Sequence, residues 1–172
     1  MDFEADPRVA EALARLPETK FEGSAWKHTL PTQPIAAANT RGARWNPSGV
    51  PAIYFALDRE TALAEGDYLV GLQPQPIRGA REIHEVALRL ERVLDLRDKR
   101  QLHRLGVSEA ELRSSDHSAC RRIGGTAEWL GLDGIIVPSA RTSGANLVVF
   151  ERHAPADFDV RVLTSEKLEG GS

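Results

Sequence analysis

With 172 residues, 41% of them hydrophobic and 27% charged, the chain has the size and composition of one ordinary soluble domain with a substantial core. A net charge of −3 argues against broad nucleic-acid binding. The single cysteine, Cys120, excludes an intrachain disulfide and a cysteine-rich metal site. No stretch has the charged start and apolar core of a signal peptide or the length to span a bilayer, so a cytoplasmic protein without membrane contact is expected.

Pro7 after Asp6 starts a helix over residues 7–16 that puts Val9, Leu13 and Leu16 on one face, and Pro17 ends it. Residues 24–28 read as a first strand, closed by the loop holding Pro31 and Pro34, and residues 52–56 as a second. Asp58 is the expected N-cap of a helix reaching about Val70. Its apolar stripe is Ala62, Leu63, Gly66, Leu69 and Val70, with Glu65 at the border. A loop over 71–79 follows, long enough to cover a site. A half-buried strand over 82–90 is extended or followed by 93–96.

Ser108 and Glu111 form a capping-box pattern opening a short helix. A further helix runs over about 119–130, and Cys120 inside it reads as a buried structural thiol. Residues 134–137 form a continuous apolar strand stopped by Pro138, residues 146–150 another, and 158–162 a last one. These elements predict a single α+β domain of short strands and about five helices. Residues 1–20 are expected as a helical lead-in, 21–163 as the domain and 164–172 as a tail.

The segment from Arg41 to Glu65 carries most of the chemistry. A Gly/Pro-punctuated loop holding Arg41, Arg44, Trp45 and Asn46 runs into the strand of Tyr54 and then into the helix of Glu65. A cation, an aromatic and a carboxylate delivered together suit a phosphate-bearing, positively charged nucleotide. His28, His84, His103, His117 and His153 show no paired ligand spacing, so no metal is expected. Neither Gly124-Gly125 nor Gly170-Gly171 is a dinucleotide fingerprint.

Three islands in order resemble a known family. They are Gly42-Ala-Arg44-Trp-Asn-Pro with Pro51-Ala-Ile-Tyr54, then Thr61-Ala-Leu-Ala-Glu65, then Gly134-Ile-Ile-Val-Pro-Ser139-Ala with Asn146-Leu-Val-Val. Together they are similar to the RES-domain family, named for its Arg, Glu and Ser, whose members are toxins of bacterial toxin–antitoxin modules. The resemblance covers roughly residues 21–153. It implies an ADP-ribosyltransferase-like fold of mixed and antiparallel short strands with flanking helices. It also implies cleavage of NAD⁺ as substrate, with ADP-ribose passing to a protein, phosphate or water. The implied partner is an antitoxin with a helix-turn-helix part and a toxin-capping part, and a cellular protein is one conceivable ADP-ribose acceptor.

Carried over position by position, the resemblance assigns Arg44, Tyr54, Glu65, Ser139 and Asn146 to the site. Glu65, otherwise an ordinary helix carboxylate, would stabilise positive charge on the ribose as nicotinamide leaves. Arg44 would grip phosphate, where its plain alternative is a loop arginine tied to a surface carboxylate. Tyr54 would stack on nicotinamide or lend its hydroxyl, the alternative being core packing. Ser139 lacks a nucleophile elbow and reads as an orienting hydroxyl or a turn cap. Asn146 would bond the substrate amide or brace the Ser139 loop, and Trp45 would pack the loop on the core. One departure stands out: the family's Arg after the first-strand aromatic is Lys27 here, which keeps the charge but loses the bidentate fork. That departure supports a second reading, a non-catalytic nucleotide- or antitoxin-binding module of the same fold.

Overall fold

The computed structural model describes residues 3–154 and 160–169. Helix α1 (Pro7–Ala14) is capped by the Asp6 carboxylate, which accepts from the Arg8 amide, and buries Val9 and Leu13. It is followed by β1 (Thr19–Thr29), β2 (Ala52–Ala56), α2 (Arg59–Gly71) and β3 (Arg81–Asp95). Then come α3 (Lys99–Arg104), α4 (Glu109–Arg113), α5 (Ser118–Trp129), β4 (Gly134–Pro138), β5 (Ala145–Phe150) and β6 (Arg161–Leu168).

The six strands form one sheet in the order β1-β2-β5-β4-β3-β6, and β1 also pairs with β3, so five of them close on themselves and β6 lies outside on β3. Closure is uneven. Strand β1 follows β3 antiparallel from Thr19↔Val93 to Thr29↔Glu82, yet meets β2 at the single pair Trp26↔Ala56. The long β3 serves three neighbours: β1 on one edge, and on the other β6 along its first half and β4, in parallel, at Val93–Asp95. The wholly buried β4 and β5 pair antiparallel, and their connection, residues 139–144, carries Ser139.

The largest apolar cluster lies under α1 and α5 and includes Leu13, Trp45, Ile123 and Phe150. A second, within the ring of strands, includes Phe55, Leu88 and Leu147. Helix α5 approaches the 41–50 loop so closely that a β-carbon at Gly124 would overlap the Trp45 carbonyl.

Several boundaries differ from the sequence expectation. Strand β1 begins at Thr19, inside the expected lead-in, because its exposed first half is held by pairing with β3 rather than by an apolar pattern of its own. Strand β6 runs through the boundary expected between 163 and 164, since its backbone completes β3 although nearly every side chain is exposed. Residues 158 and 159 of the expected last strand, and 170–172 of the expected tail, lie outside the described residues. On α2, Leu69 is 39% exposed instead of joining the core, and Thr61 is buried in the stripe with Ala62 and Gly66. The short α3 has only Leu102 buried, too little apolar repeat to announce itself.

Candidate active site

Where β1 and β2 share their single pair, the surface opens into a cleft of about 590 Å³. Its walls come from β1 (Trp26, Lys27, His28), β2 (Tyr54, Phe55), α2 (Glu65, Tyr68, Leu69) and β5 (Asn146), with residues of the loops before β2 and α5. All of the candidate residues except Ser139 line it directly. Ser139 reaches it through Glu65.

The carboxylate is set by two segments far apart in the chain. The Asp58 side chain caps α2 by accepting from the Thr61 amide at 2.7 Å, which fixes the first turns of the helix and hence Glu65. The register of β2 on β5 places Asn146 opposite Ala56, just before that cap. Asn146 Nδ2 donates to Glu65 Oε1 at 3.0 Å, and Ser139 Oγ donates to the same oxygen at 2.7 Å. Ser139 Oγ in turn accepts from the Arg141 and Thr142 amides at 3.0 and 3.2 Å, so the hydroxyl proton is directed to the carboxylate. The serine is therefore both orienting hydroxyl and turn cap. Thr142 and Thr61 hydroxyls lie 2.7 Å apart and tie the 139–144 loop to the start of α2. Among the described residues, no cation lies within ion-pair distance of Glu65, and both of its donors are neutral.

The cations are handled in a parallel way. Lys27 Nζ donates to the Tyr54 carbonyl at 2.8 Å and stands 5.7 Å from the Phe55 ring centre; burial pulls its pKa from 10.5 down to about 8. Arg44 Nη1 donates to the Ser114 carbonyl at 3.0 Å, not to a surface carboxylate. Arg121 Nε donates to the Ala43 carbonyl at 2.8 Å and so braces the loop that carries Arg44. Arg141 lies over Tyr68, 3.8 Å from the ring centre, and its Nε is buried without a hydrogen-bond partner among the described residues. None of these four cations has a carboxylate within ion-pair distance among the described residues. His117 also lines the cleft; burial first, then Arg44 and Arg121, hold its pKa below the usual histidine value.

Tyr54 departs from one expectation. Its hydroxyl donates to Asn46 Oδ1 at 2.6 Å and accepts from the Trp45 amide at 3.0 Å, so it is turned into the 41–50 loop and occupied there. Burial raises its pKa. Asn46, fully buried, passes the bonding on to Asn39 and Val50. Only the tyrosine ring is left for the cleft. Trp45, 1% exposed, packs the loop on the core, and Cys120 is buried with its thiol pKa raised by that burial to about 11. Among the described residues, no group of three or more His, Cys, Asp or Glu could hold a metal, and no helix is long and apolar enough to cross a membrane.

Sequence reading missed Arg121, Arg141, His117 and Tyr68. Arg121 and Arg122 are adjacent at the start of α5, and only packing decides that the first turns to the cleft. Arg141 had a usable signal, lying two residues beyond Ser139 on the same short loop.

Known proteins match this chain in sequence and in fold. The NAD(+) phosphorylases MbcT of Mycobacterium tuberculosis and Mycobacterium bovis are 26% identical over 126 residues, covering 70% of this chain and 68% of theirs. The crystal structure of the MbcT–MbcA toxin–antitoxin complex of M. tuberculosis superimposes with a TM-score of 0.81 over 95% of this chain and 93% of the matched one, at 22% identity. The fold is thus the same single α+β domain of a sheet with flanking helices. A sequence profile of the RES domain matches residues 12–169, and with the Arg44, Glu65 and Ser139 islands in place the chain belongs to the RES-domain family.

Proposed function

We propose that this chain is the toxin of a toxin–antitoxin pair and cleaves the nicotinamide–ribose bond of NAD⁺, in an ADP-ribosyltransferase-like fold. The observation that carries the reading is the charge arrangement of the cleft. One carboxylate is held by neutral donors, and several cations are held by backbone carbonyls or an aromatic face, none neutralising another. A dinucleotide with an anionic diphosphate and a cationic nicotinamide ribose complements both.

In this reading Lys27, Arg44 and Arg121 hold the diphosphate, and the Tyr54 ring faces the nicotinamide half. As the C1′–N bond stretches, its electron pair moves to the pyridine nitrogen and positive charge builds on the ribose. Glu65, held fixed by Ser139 and Asn146, meets that charge without having to reorganise. The mycobacterial relatives are NAD(+) phosphorylases, which favours phosphate over water or a protein side chain as acceptor of ADP-ribose.

An antitoxin, with a helix-turn-helix part and a part that covers the cleft, would control the activity. Tyr68, Leu69 and Leu72 are exposed apolar groups on the cleft wall suited to such a cover. A cytoplasmic location fits a substrate found there. Purified chain incubated with NAD⁺ should release nicotinamide, and Glu65→Gln should slow that release steeply while still binding NAD⁺ in calorimetry. Binding without release by the unsubstituted chain sinks the enzymatic reading and leaves a nucleotide-binding module.

A further inference from the structure

Four cations line the cleft, more than one diphosphate requires, and different elements hold them. Lys27 is fixed on β1, Arg44 in the loop before β2, and Arg121 on α5, from which it bonds that loop. Arg141 is placed by different contacts. Its amide bonds the Ser139 Oγ that also donates to Glu65, and its guanidinium lies on Tyr68, one helical turn beyond Glu65 on α2. Glu65 and Arg141 are thus set by the same hydroxyl and the same helix face, and they form no ion pair.

Among the described residues the Arg141 guanidinium, its Nε buried, has neither a hydrogen bond nor a carboxylate, which is costly to keep unless something else uses it. The Tyr68 ring, 3.8 Å from the guanidinium carbon, covers one face of the fork, and its terminal nitrogens suit an oxyanion. His117, which feels Arg44, Arg121 and Arg141 together, borders the same space.

We propose that Arg141 is the positioning residue for the second substrate, holding inorganic phosphate on the carboxylate side of the cleft and so setting phosphorolysis above hydrolysis; this rests on the NAD⁺-cleaving reading. A phosphate oxygen supplies the electron pair for the new C1′–O bond while the C1′–N bond breaks and its pair leaves with neutral nicotinamide. The phosphate proton stays on the ester or passes to solvent. The products are nicotinamide and ADP-ribose 1″-phosphate, with no oxidant or reductant involved. Arg141 takes no part in bond making; it fixes where the attacking oxygen lies.

The test is steady-state kinetics of nicotinamide release, varying phosphate at saturating NAD⁺ and NAD⁺ at saturating phosphate. It compares the unsubstituted chain with Arg141→Met, which keeps a stem over Tyr68, and Arg141→Lys, which keeps the charge. Loss of a charge-assisted fork raises the phosphate KM by about tenfold to a hundredfold in Arg141→Met, with partial recovery in Arg141→Lys. The NAD⁺ KM moves far less. Parallel rises in both constants overturn the assignment, because Arg141 then holds the dinucleotide or braces the site. NAD⁺ cleavage by the unsubstituted chain without acceleration by phosphate overturns it as well, while sparing the NAD⁺-cleaving reading. If no nicotinamide appears under any condition, that reading fails and the assignment falls with it. Should Arg141→Met not fold, the two KM values of Arg141→Lys decide alone.

Discussion

Charges on the outer surface of this protein and charges in its cleft are managed in opposite ways. On the surface, arginines and lysines find carboxylates: Arg15 with Glu11, Arg59 with Glu166, Arg92 with Glu18, Arg97 with Asp95, Lys99 with Glu109. Such exposed pairs contribute little, about 0–1 kcal/mol each, and could be exchanged freely. In the cleft, Lys27, Arg44 and Arg121 each bond a backbone carbonyl, and Glu65 bonds a hydroxyl and an amide. Neutral partners satisfy geometry without cancelling charge. The difference separates side chains that decorate a domain from those kept ready for a ligand.

The sharpest way to break that contrast is Glu65→Gln, which preserves shape and donors' positions but removes the charge. Nicotinamide release should drop roughly a hundred- to a thousandfold, with NAD⁺ affinity little changed, as measured by turnover and calorimetry side by side. An equal loss of affinity would mean that Glu65 serves binding instead.

Turning Arg44 to Ala attacks the other end. The Kd for NAD⁺ should weaken by about tenfold to a hundredfold in calorimetry. Asn146→Ala leaves Glu65 with Ser139 alone and should lower kcat by about tenfold while stability falls by about 1 kcal/mol. A stability loss without any kinetic effect would reduce Asn146 to a packing residue.

The smallest effect is a pH dependence. Lys27 titrates near pH 8 in the folded chain, and only its protonated form attracts a diphosphate. NAD⁺ affinity should be level below about pH 8 and weaken above it, and Lys27→Arg should remove the inflection. Stability follows the opposite course. Because the folded value lies below the unfolded 10.5, the cost of burying the charge is present in full below about pH 8 and is relieved as pH rises toward 10.5. Chemical denaturation across that range checks the sign.

What could be read from the sequence was whatever a short motif encodes by itself. Asp58 capping α2, the apolar β4 and the chain of residues from Arg44 to Glu65 are local signals, and the structure keeps them. Glu65 lies 74 residues from Ser139 and 81 from Asn146 along the chain, and they meet because of strand register, which a resemblance can suggest and periodicity cannot. The first half of β1 contains Gly23 and exposed Glu22, so no alternation marks it; only β3 makes it a strand. The sequence leaves Tyr54 open between stacking, lending its hydroxyl and core packing, because nothing in it shows that the hydroxyl bonds Asn46 and the Trp45 amide. Gly124 carried no sign of its contact with Trp45. Alanine there should cost about 1–3 kcal/mol in thermal unfolding by displacing the loop of Arg44.

The pairing of Ala56 with Asn146 has a consequence for biosynthesis. A nascent chain that has emerged through β3 already carries Lys27, Arg44 and Glu65, yet lacks both groups that aim the carboxylate. Those arrive only with β4 and β5. For the proposed toxin this defers competence until both strands have been made, and leaves an interval on the ribosome in which a partner can be met before there is any activity to restrain.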